Sequence, residues 1–133
     1  MQRRERTCPR EDETSVDLQR QLANLDRAIA LERVGGDEEL LREIAALFLD
    51  EYPKMMTEIR AALEQGNAKA LEQASHSLKG SVGNFGADHA YQAALRLETI
   101  GRGRDLSAAA QAYQDLVRAL DSLRPALVAL RHK

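Results

Sequence analysis

Three observations predict an all-α chain. Among its 133 residues, 21 are Ala and 19 Leu against 5 Val and 4 Ile, so strong helix formers greatly outnumber residues that favour a pleated sheet. Tryptophan is absent and aromatics make up 4%, which leaves Leu and Ala to build a core suited to closely packed antiparallel helices. Apolar residues recur at three-to-four spacing in successive segments. The architecture expected is an antiparallel up-and-down four-helix bundle with an additional N-terminal helix. A prior of roughly 150 residues per domain makes it one unit.

Residues 1–15 are rich in charge and nearly devoid of apolar side chains. They are expected to form a disordered tail or linker ahead of a helical domain over residues 16–133. From Val16 the series Leu18, Leu22, Leu25, Ile29 and Val34 has the spacing of one helix face, ended by Gly35-Gly36. Asp37 is a good N-cap, with Glu38 and Glu39 in the first turn, where the helix dipole favours negative charge. Pro53 would ordinarily break the helix that follows, by removing a hydrogen bond and crowding the carbonyl of Leu49. The stripe Leu41, Ile44, Phe48, Tyr52, Met55, Ile59 and Leu63 nevertheless keeps its phase across it. One long kinked helix is therefore expected from about Asp37 to Gln65. Gly66 closes it, and Asn67 caps the next helix, which runs to about Phe85. Another spans Ala87 to Ile100, stopped by Gly101 and Gly103. Ser107 is expected to cap a last helix that reaches about Leu130 with a bend at Pro125.

Charge and cysteine content narrow the function. Nineteen Lys and Arg against 21 Asp and Glu give a net charge of −2, which offers no footprint for nucleic acid or an anionic membrane surface. The single cysteine, Cys8, cannot form an internal disulfide or a Cys-based zinc site, and a reducing compartment is its simplest setting. No apolar run approaches the roughly 20 residues of a membrane span, and the charged start lacks the apolar segment of a secretory signal. A cytoplasmic protein without direct membrane contact is expected.

The residues that carry chemistry lie on the helix capped by Asn67. Its apolar stripe is Leu71, Ala74 and Ser75, Leu78, Val82 and Phe85. His76 lies two residues from both Ala74 and Leu78; at about 100° per residue it falls on the far side and should face solvent. Lys79, Gly80 and Gly83 share its face, at offsets three, four and seven. Each mid-helix glycine costs about 1 kcal/mol relative to alanine, a cost that packing does not offset on an exposed face. Something outside needs the room. Bare positions let another protein approach the ring nitrogen, and Lys79 puts an ammonium where an anion transferred to that nitrogen would sit. A nucleophilic histidine, a cation and a clear approach together describe a phosphoryl acceptor. Other roles lack partners: no Ser or Cys nucleophile is placed with a base, no His-Glu-x-x-His pair exists, and no Gly-rich phosphate loop follows a strand. A lone exposed histidine is ordinarily a plain surface residue, and Glu72, four residues earlier, could be its surface partner or half of a metal site. The joint pattern His-x-x-Lys-Gly-x-x-Gly favours the acceptor. His89 and His132 have no such setting and are read as surface residues.

HSLKGSVGNFGA, residues 76–87, resembles the signature of histidine phosphotransfer (HPt) domains, roughly His-x-Leu-Lys-Gly-Ser-x-x-x-x-Gly-Ala. The likeness extends upstream through GGDEELLREIAALFLDEYPKMMTEIRAALEQGN and downstream through LETIGR, covering about Leu22 to Leu130. It departs from the family at Val82, where a small residue is common, and at Tyr52 before Pro53, where Ala is common. Neither position touches the chemistry.

The resemblance implies a phosphorelay intermediate, which takes a phosphoryl group from a receiver-domain aspartate and passes it to another receiver domain. His76 would be the acceptor and Lys79 the charge that holds the phosphoryl oxygens. Gly80, Gly83 and Gly86 would keep the approach clear and allow close packing at the helix end. The family often has a Glu or Gln 22 residues beyond the histidine, which here is Glu98. Its carboxylate would hold the ring's Nδ1–H and leave Nε2 outward and nucleophilic. The plainer reading of Glu98 is a surface acid flanking Tyr91, Ala94 and Leu95. Arg102, one turn later, would add positive charge near the phosphoryl group, and Lys69, Glu72 and Gln73 would complete the binding surface. The implied partners are response-regulator receiver domains and a hybrid sensor histidine kinase. The receiver supplies the aspartate and Mg²⁺, so the chain is expected to be a phosphocarrier, not an enzyme, with no intrinsic cofactor or metal. The charged tail suits a linker in a membrane-bound hybrid kinase of which this would be the C-terminal module, and a free-standing protein is the alternative. Two other classes compete. A dimerising kinase module would carry an acid and then Arg after the histidine, where Ser77 stands, and would adjoin an ATP-binding domain. A helical adaptor would dock a receiver without relaying phosphate; intact His76, Lys79 and Gly80 weigh against it.

Overall fold

The computed structural model describes residues 25–132, so the expected tail and the start of the expected first helix lie outside the described residues. Five α-helices follow in order: α1 (Arg27–Arg33), α2 (Glu38–Gln65), α3 (Ala68–Gly83), α4 (Asp88–Gly103) and α5 (Ala109–Arg131), with a 3₁₀ turn at Leu106–Ala108 ahead of α5. The described residues contain no strand. Short turns make consecutive helices antiparallel. α2 packs on α3 and α5, and α4 packs on α3 and α5, closing a four-helix ring, while α1 rests on α2. The all-α bundle with an added N-terminal helix is therefore the observed fold.

Local chemistry sets the helix ends. Asp37 caps α2 by accepting from the Leu40 N–H, and Asn67 caps α3 by accepting from the Ala70 N–H, each satisfying a donor that the first turn leaves orphaned. Gly66 ends α2 at φ 64°, a left-handed conformation that a Cβ would strain. α2 runs unbroken through Pro53. Proline costs the Leu49 carbonyl its usual donor, but Phe48, Leu49, Tyr52 and Ile59 are all buried around it, and that packing outweighs a single lost bond.

Three ends differ from expectation. Among the described residues the first helix begins at Arg27, because Asp26 is extended and its carboxylate accepts from the N–H groups of Ala28 and Ile29; a cap cannot also be the interior of a longer helix. Asp105 rather than Ser107 starts the last helical stretch, accepting from the Ser107 N–H. α4 continues through Gly101 to Gly103 and is closed by Arg104 at φ 66°, so neither glycine is the stop.

The core is aliphatic with a small aromatic group at one level. Leu41, Ile59, Leu71, Leu78, Leu97, Leu116, Leu123 and Leu127 are fully buried. Phe48 stacks on Tyr52 with ring centroids 5.4 Å apart and meets Phe85 at 5.6 Å. Tyr52 buries its ring and accepts a hydrogen bond from Arg124 Nη1 at 3.1 Å, so its hydroxyl is not left unpaired. α3 and α4 share the most extensive contact in the bundle. Small residues permit it: Ala90, Ala94 and Gly101 lie on the buried side of α4. At Gly101 an added Cβ would stand 2.7 Å from the Glu72 amide nitrogen and 2.9 Å from the Ala68 carbonyl oxygen, so the two backbones meet without a side chain between them.

Candidate functional site

The close approach of α3 and α4 brings the chemistry-bearing residues together. α3 buries Leu71, Ser75, Leu78 and Val82, and that burial turns His76 outward: its side chain is 67% exposed. The helix phase read from sequence is the observed one. From α4, Glu98 reaches across to the imidazole, with Oε2 2.9 Å from Nδ1. Glu98 is not the surface acid of the plainer reading. Its side chain is only 4% exposed, on the buried side of α4 with Ala94, Leu97 and Gly101.

A buried carboxylate needs compensation, and two cations supply it. Lys79 Nζ lies 2.7 Å from Glu98 Oε1, a close ionic contact without the direction of a good hydrogen bond, since no donor is aligned on Oε1. Arg102 Nη2 donates to Oε2 at 3.0 Å. Burial alone would push the Glu98 carboxyl up. Lys79, through its close charge, and His76, through its hydrogen bond and charge, outweigh burial and hold the group below its ordinary value of 4.5. Glu98 is therefore ionised at neutral pH.

Other expected residues divide. Lys79 is mostly buried, with its ammonium 5.9 Å from the centre of the Tyr91 ring; in this state it is committed to Glu98 rather than standing free beside the imidazole. Arg102 likewise joins two carboxylates, donating from Nε to Glu72 Oε2 at 3.1 Å. Glu72 thus pairs with Arg102 and not with His76. Lys69 and Gln73 are exposed on α3, seven and three residues before His76 and hence on its side of the helix. His89 and His132 are exposed.

The three glycines have three different surroundings. A Cβ on Gly80 would meet nothing within 4 Å, and one on Gly83 would touch the Tyr91 ring at an ordinary 3.5 Å. Gly86, at φ 62°, would press on Asp26 Cβ at 2.9 Å and Ile29 Cβ at 3.1 Å. Gly80 keeps the surface beside His76 bare, whereas Gly86 is required by the turn and by α1 and does not clear an approach. Gly80, Gly83 and Lys79 line a shallow cavity of about 440 Å³ with Ile29, Arg33 and Tyr91.

Gly101, expected from the sequence as a helix stop, lies instead where α3 and α4 meet. Its signal was present: a glycine three residues after Glu98, inside a segment with no other turn residue before it, at a spacing that fits the buried side of α4. Among the described residues no cluster of three or more His, Cys, Asp or Glu could hold a metal ion. No helix there is long and apolar enough to cross a membrane.

A bundle that presents an exposed histidine, tied at Nδ1 to a buried carboxylate and flanked by a bare helix surface, defines a phosphotransfer domain. The Hpt domain family profile matches residues 43–126, well over half of the chain, and the chain belongs to that family. Its role is histidine phosphotransfer in a phosphorelay, as a carrier rather than an enzyme in the ordinary sense, and such domains partner with receiver domains of two-component systems. Two solved structures share the fold. The crystal structure of histidine-containing phosphotransfer protein B from Pseudomonas aeruginosa is 24% identical, with a TM-score of 0.76 over 82% of this chain and 95% of that one. The HPT domain of a sensor hybrid histidine kinase from Shewanella is 20% identical, with a TM-score of 0.62 over 84% of this chain and 93% of that one. No curated protein matches the chain in sequence.

Proposed function

We propose that Nε2 of His76 accepts the phosphoryl group of a receiver domain's aspartyl phosphate and passes it to the aspartate of a second receiver. One observation carries the reading: the imidazole is exposed while its Nδ1 is held by an ionised, buried carboxylate. An ionised carboxylate can only accept hydrogen bonds, so Nδ1 carries the ring proton and Nε2 keeps its lone pair, directed away from Glu98. In transfer the Nε2–P bond forms as the P–O bond to the aspartate breaks, and the aspartate leaves as carboxylate. Nδ1 keeps its proton throughout. The positive charge that develops on the ring is stabilised by Glu98, which is already in place.

Lys79 and Arg102 offset the Glu98 and Glu72 carboxylates beside the transferred group, and Gly80 leaves room for the partner's surface. Glu72 and Glu98 are both engaged by cations, which supports a Mg²⁺ brought by the receiver rather than held by this chain. The chain would then act in the cytoplasm, fed by a hybrid sensor histidine kinase.

The test is to incubate the chain and its His76→Gln variant with phosphorylated receiver domains. The native chain should acquire acid-labile, base-stable label while the receiver loses it. The variant should stay folded and unlabelled. Label retained on the variant would overturn the assignment.

A further inference from the structure

Arg102 spends one edge of its guanidinium on two different carboxylates. Nε donates to Glu72 and Nη2 to Glu98, and these two donors lie side by side, the pair that grips a single carboxylate when only one is available. Glu98 has competing claims on it already: Oε2 takes both the His76 ring and Arg102, and Oε1 faces Lys79. The edge is shared only because Glu72 stands where it does. Its place is set by the backbone, since α3 at Glu72 lies against Gly101, the neighbour of Arg102. The Glu72 to Arg102 pair is therefore not a chance meeting of two long surface chains, although such half-exposed pairs add little to stability.

We infer that Glu72 is a positioning residue for the transfer, an inference that rests on His76 being the acceptor. By holding Nε it keeps Arg102 to a single donor on Glu98, so that one Oε2 lone pair stays with Nδ1–H. Without an acceptor at position 72 the guanidinium grips both Glu98 oxygens and displaces the imidazole. The ring then loses its fixed tautomer, and the lone pair is no longer confined to Nε2.

Nitrogen NMR of the His76 ring at a pH where it is neutral reads this directly, alongside the rate of labelling from a phosphorylated receiver domain, both on the full chain. The native ring should be almost wholly the Nδ1–H tautomer. Glu72→Ala should move population to Nε2–H and slow labelling by about 3- to 10-fold, the size of coupling usual within one hydrogen-bonded network. Glu72→Gln, which keeps an acceptor oxygen, should retain most of the native tautomer. Glu72→Ala combined with Arg102→Ala should return the ring to Nδ1–H, because the competitor is gone. An unmoved tautomer ratio in Glu72→Ala overturns the inference, and so does a shift that the double variant fails to reverse. The tautomer readout needs no phosphoryl group, so its failure is distinct from label persisting on His76→Gln.

Discussion

Gly80 and Gly101 are the same residue in the same backbone conformation, and the bundle uses them for opposite ends. Among the described residues nothing lies within 4 Å of a Cβ placed on Gly80; at Gly101 the backbone of the neighbouring helix fills the place of a Cβ. The first glycine leaves the molecule incomplete so that a partner can complete it. The second lets α3 and α4 touch, and so sets how far Glu98 stands from His76. A helical glycine costs about 1 kcal/mol in either place. Only at Gly101 does the packing inside the fold offset it.

The comparison breaks most severely at Gly101. Gly101→Ala gains helix propensity but places a methyl group 2.7 Å from a backbone nitrogen and 2.9 Å from a carbonyl oxygen, neither of which can swing aside as a side chain could. The helices must separate. A net loss of about 1–3 kcal/mol is expected, as for other overpacked interfaces, and Gly101→Val should lose more. Urea unfolding measures it. A variant as stable as the native chain would show that the contact is soft.

At Gly80 the opposite pattern is expected. Gly80→Ala should raise stability by about 1 kcal/mol with little effect on labelling, because one methyl group projects into open space. Gly80→Gln should keep the gain in stability yet slow labelling by about 100-fold, the order expected when reacting groups are held about 1 Å from their productive approach. If Gly80→Gln unfolds the domain while its folded fraction transfers normally, Gly80 resembles Gly101 and the distinction fails.

These two glycines also mark how far the sequence could be read. Asp37, Gly66 and Asn67 were legible because capping is a local affair, and the continuity of α2 across Pro53 was legible because a single apolar stripe kept its phase. His76 was placed correctly by the apolar stripe of α3. Residues of α4 were harder. Alanine is equally at home on either side of a helix, so the sequence suggests Tyr91, Ala94 and Leu95 as its core stripe, while the buried residues are Ala90, Ala94, Leu97, Glu98 and Gly101. Nothing local marks Glu98 as buried. Its ionisation within the fold depends on Lys79 and His76, both from α3, and those meetings exist only after α3 and α4 have docked. For the same reason Gly101 looked like a stop: without a partner helix, a glycine at a crossing and a glycine at an end are the same letter.

The Glu98 charge gives a pH test of that docking. Its folded value lies below the ordinary 4.5, so the unfolded chain takes up a proton first as pH falls. The stabilisation that follows from this shift is present above the unfolded value and is lost as pH drops through the folded one. Glu98→Gln removes this contribution while leaving Asp105 and Asp115, whose values are also lowered by their own hydrogen bonds. The stability of the native chain should therefore fall more steeply below pH 4.5 than that of Glu98→Gln. At neutral pH the variant should label about 10- to 100-fold more slowly, as when an orienting partner of a histidine is lost. Parallel stability curves would mean that Glu98 is solvated and that α3 and α4 do not dock as closely as the Gly101 contact requires.

The smallest effect is expected at Ser75, the residue before His76 on the buried side of α3. It is fully buried, and its hydroxyl has no hydrogen-bond partner among the described residues. Two properties of serine are separable here: its small size, which the packing of α3 uses, and its hydroxyl, which in this setting carries only a desolvation cost. Ser75→Ala keeps the first and removes the second, and it also improves helix propensity. A gain of about 1 kcal/mol is expected, read as a melting temperature a few degrees higher, with labelling unchanged because the imidazole on the opposite side keeps all its partners. Ser75→Val adds volume where Ser75 has none to spare and should destabilise instead. Together the pair asks of Ser75 what the two glycines ask of their positions, namely whether the fold needs the atoms that are present or the space left by those that are missing. If Ser75→Ala were the less stable protein, the hydroxyl would be satisfied in solution, and the buried side of α3 would be held by a polar contact as well as by size.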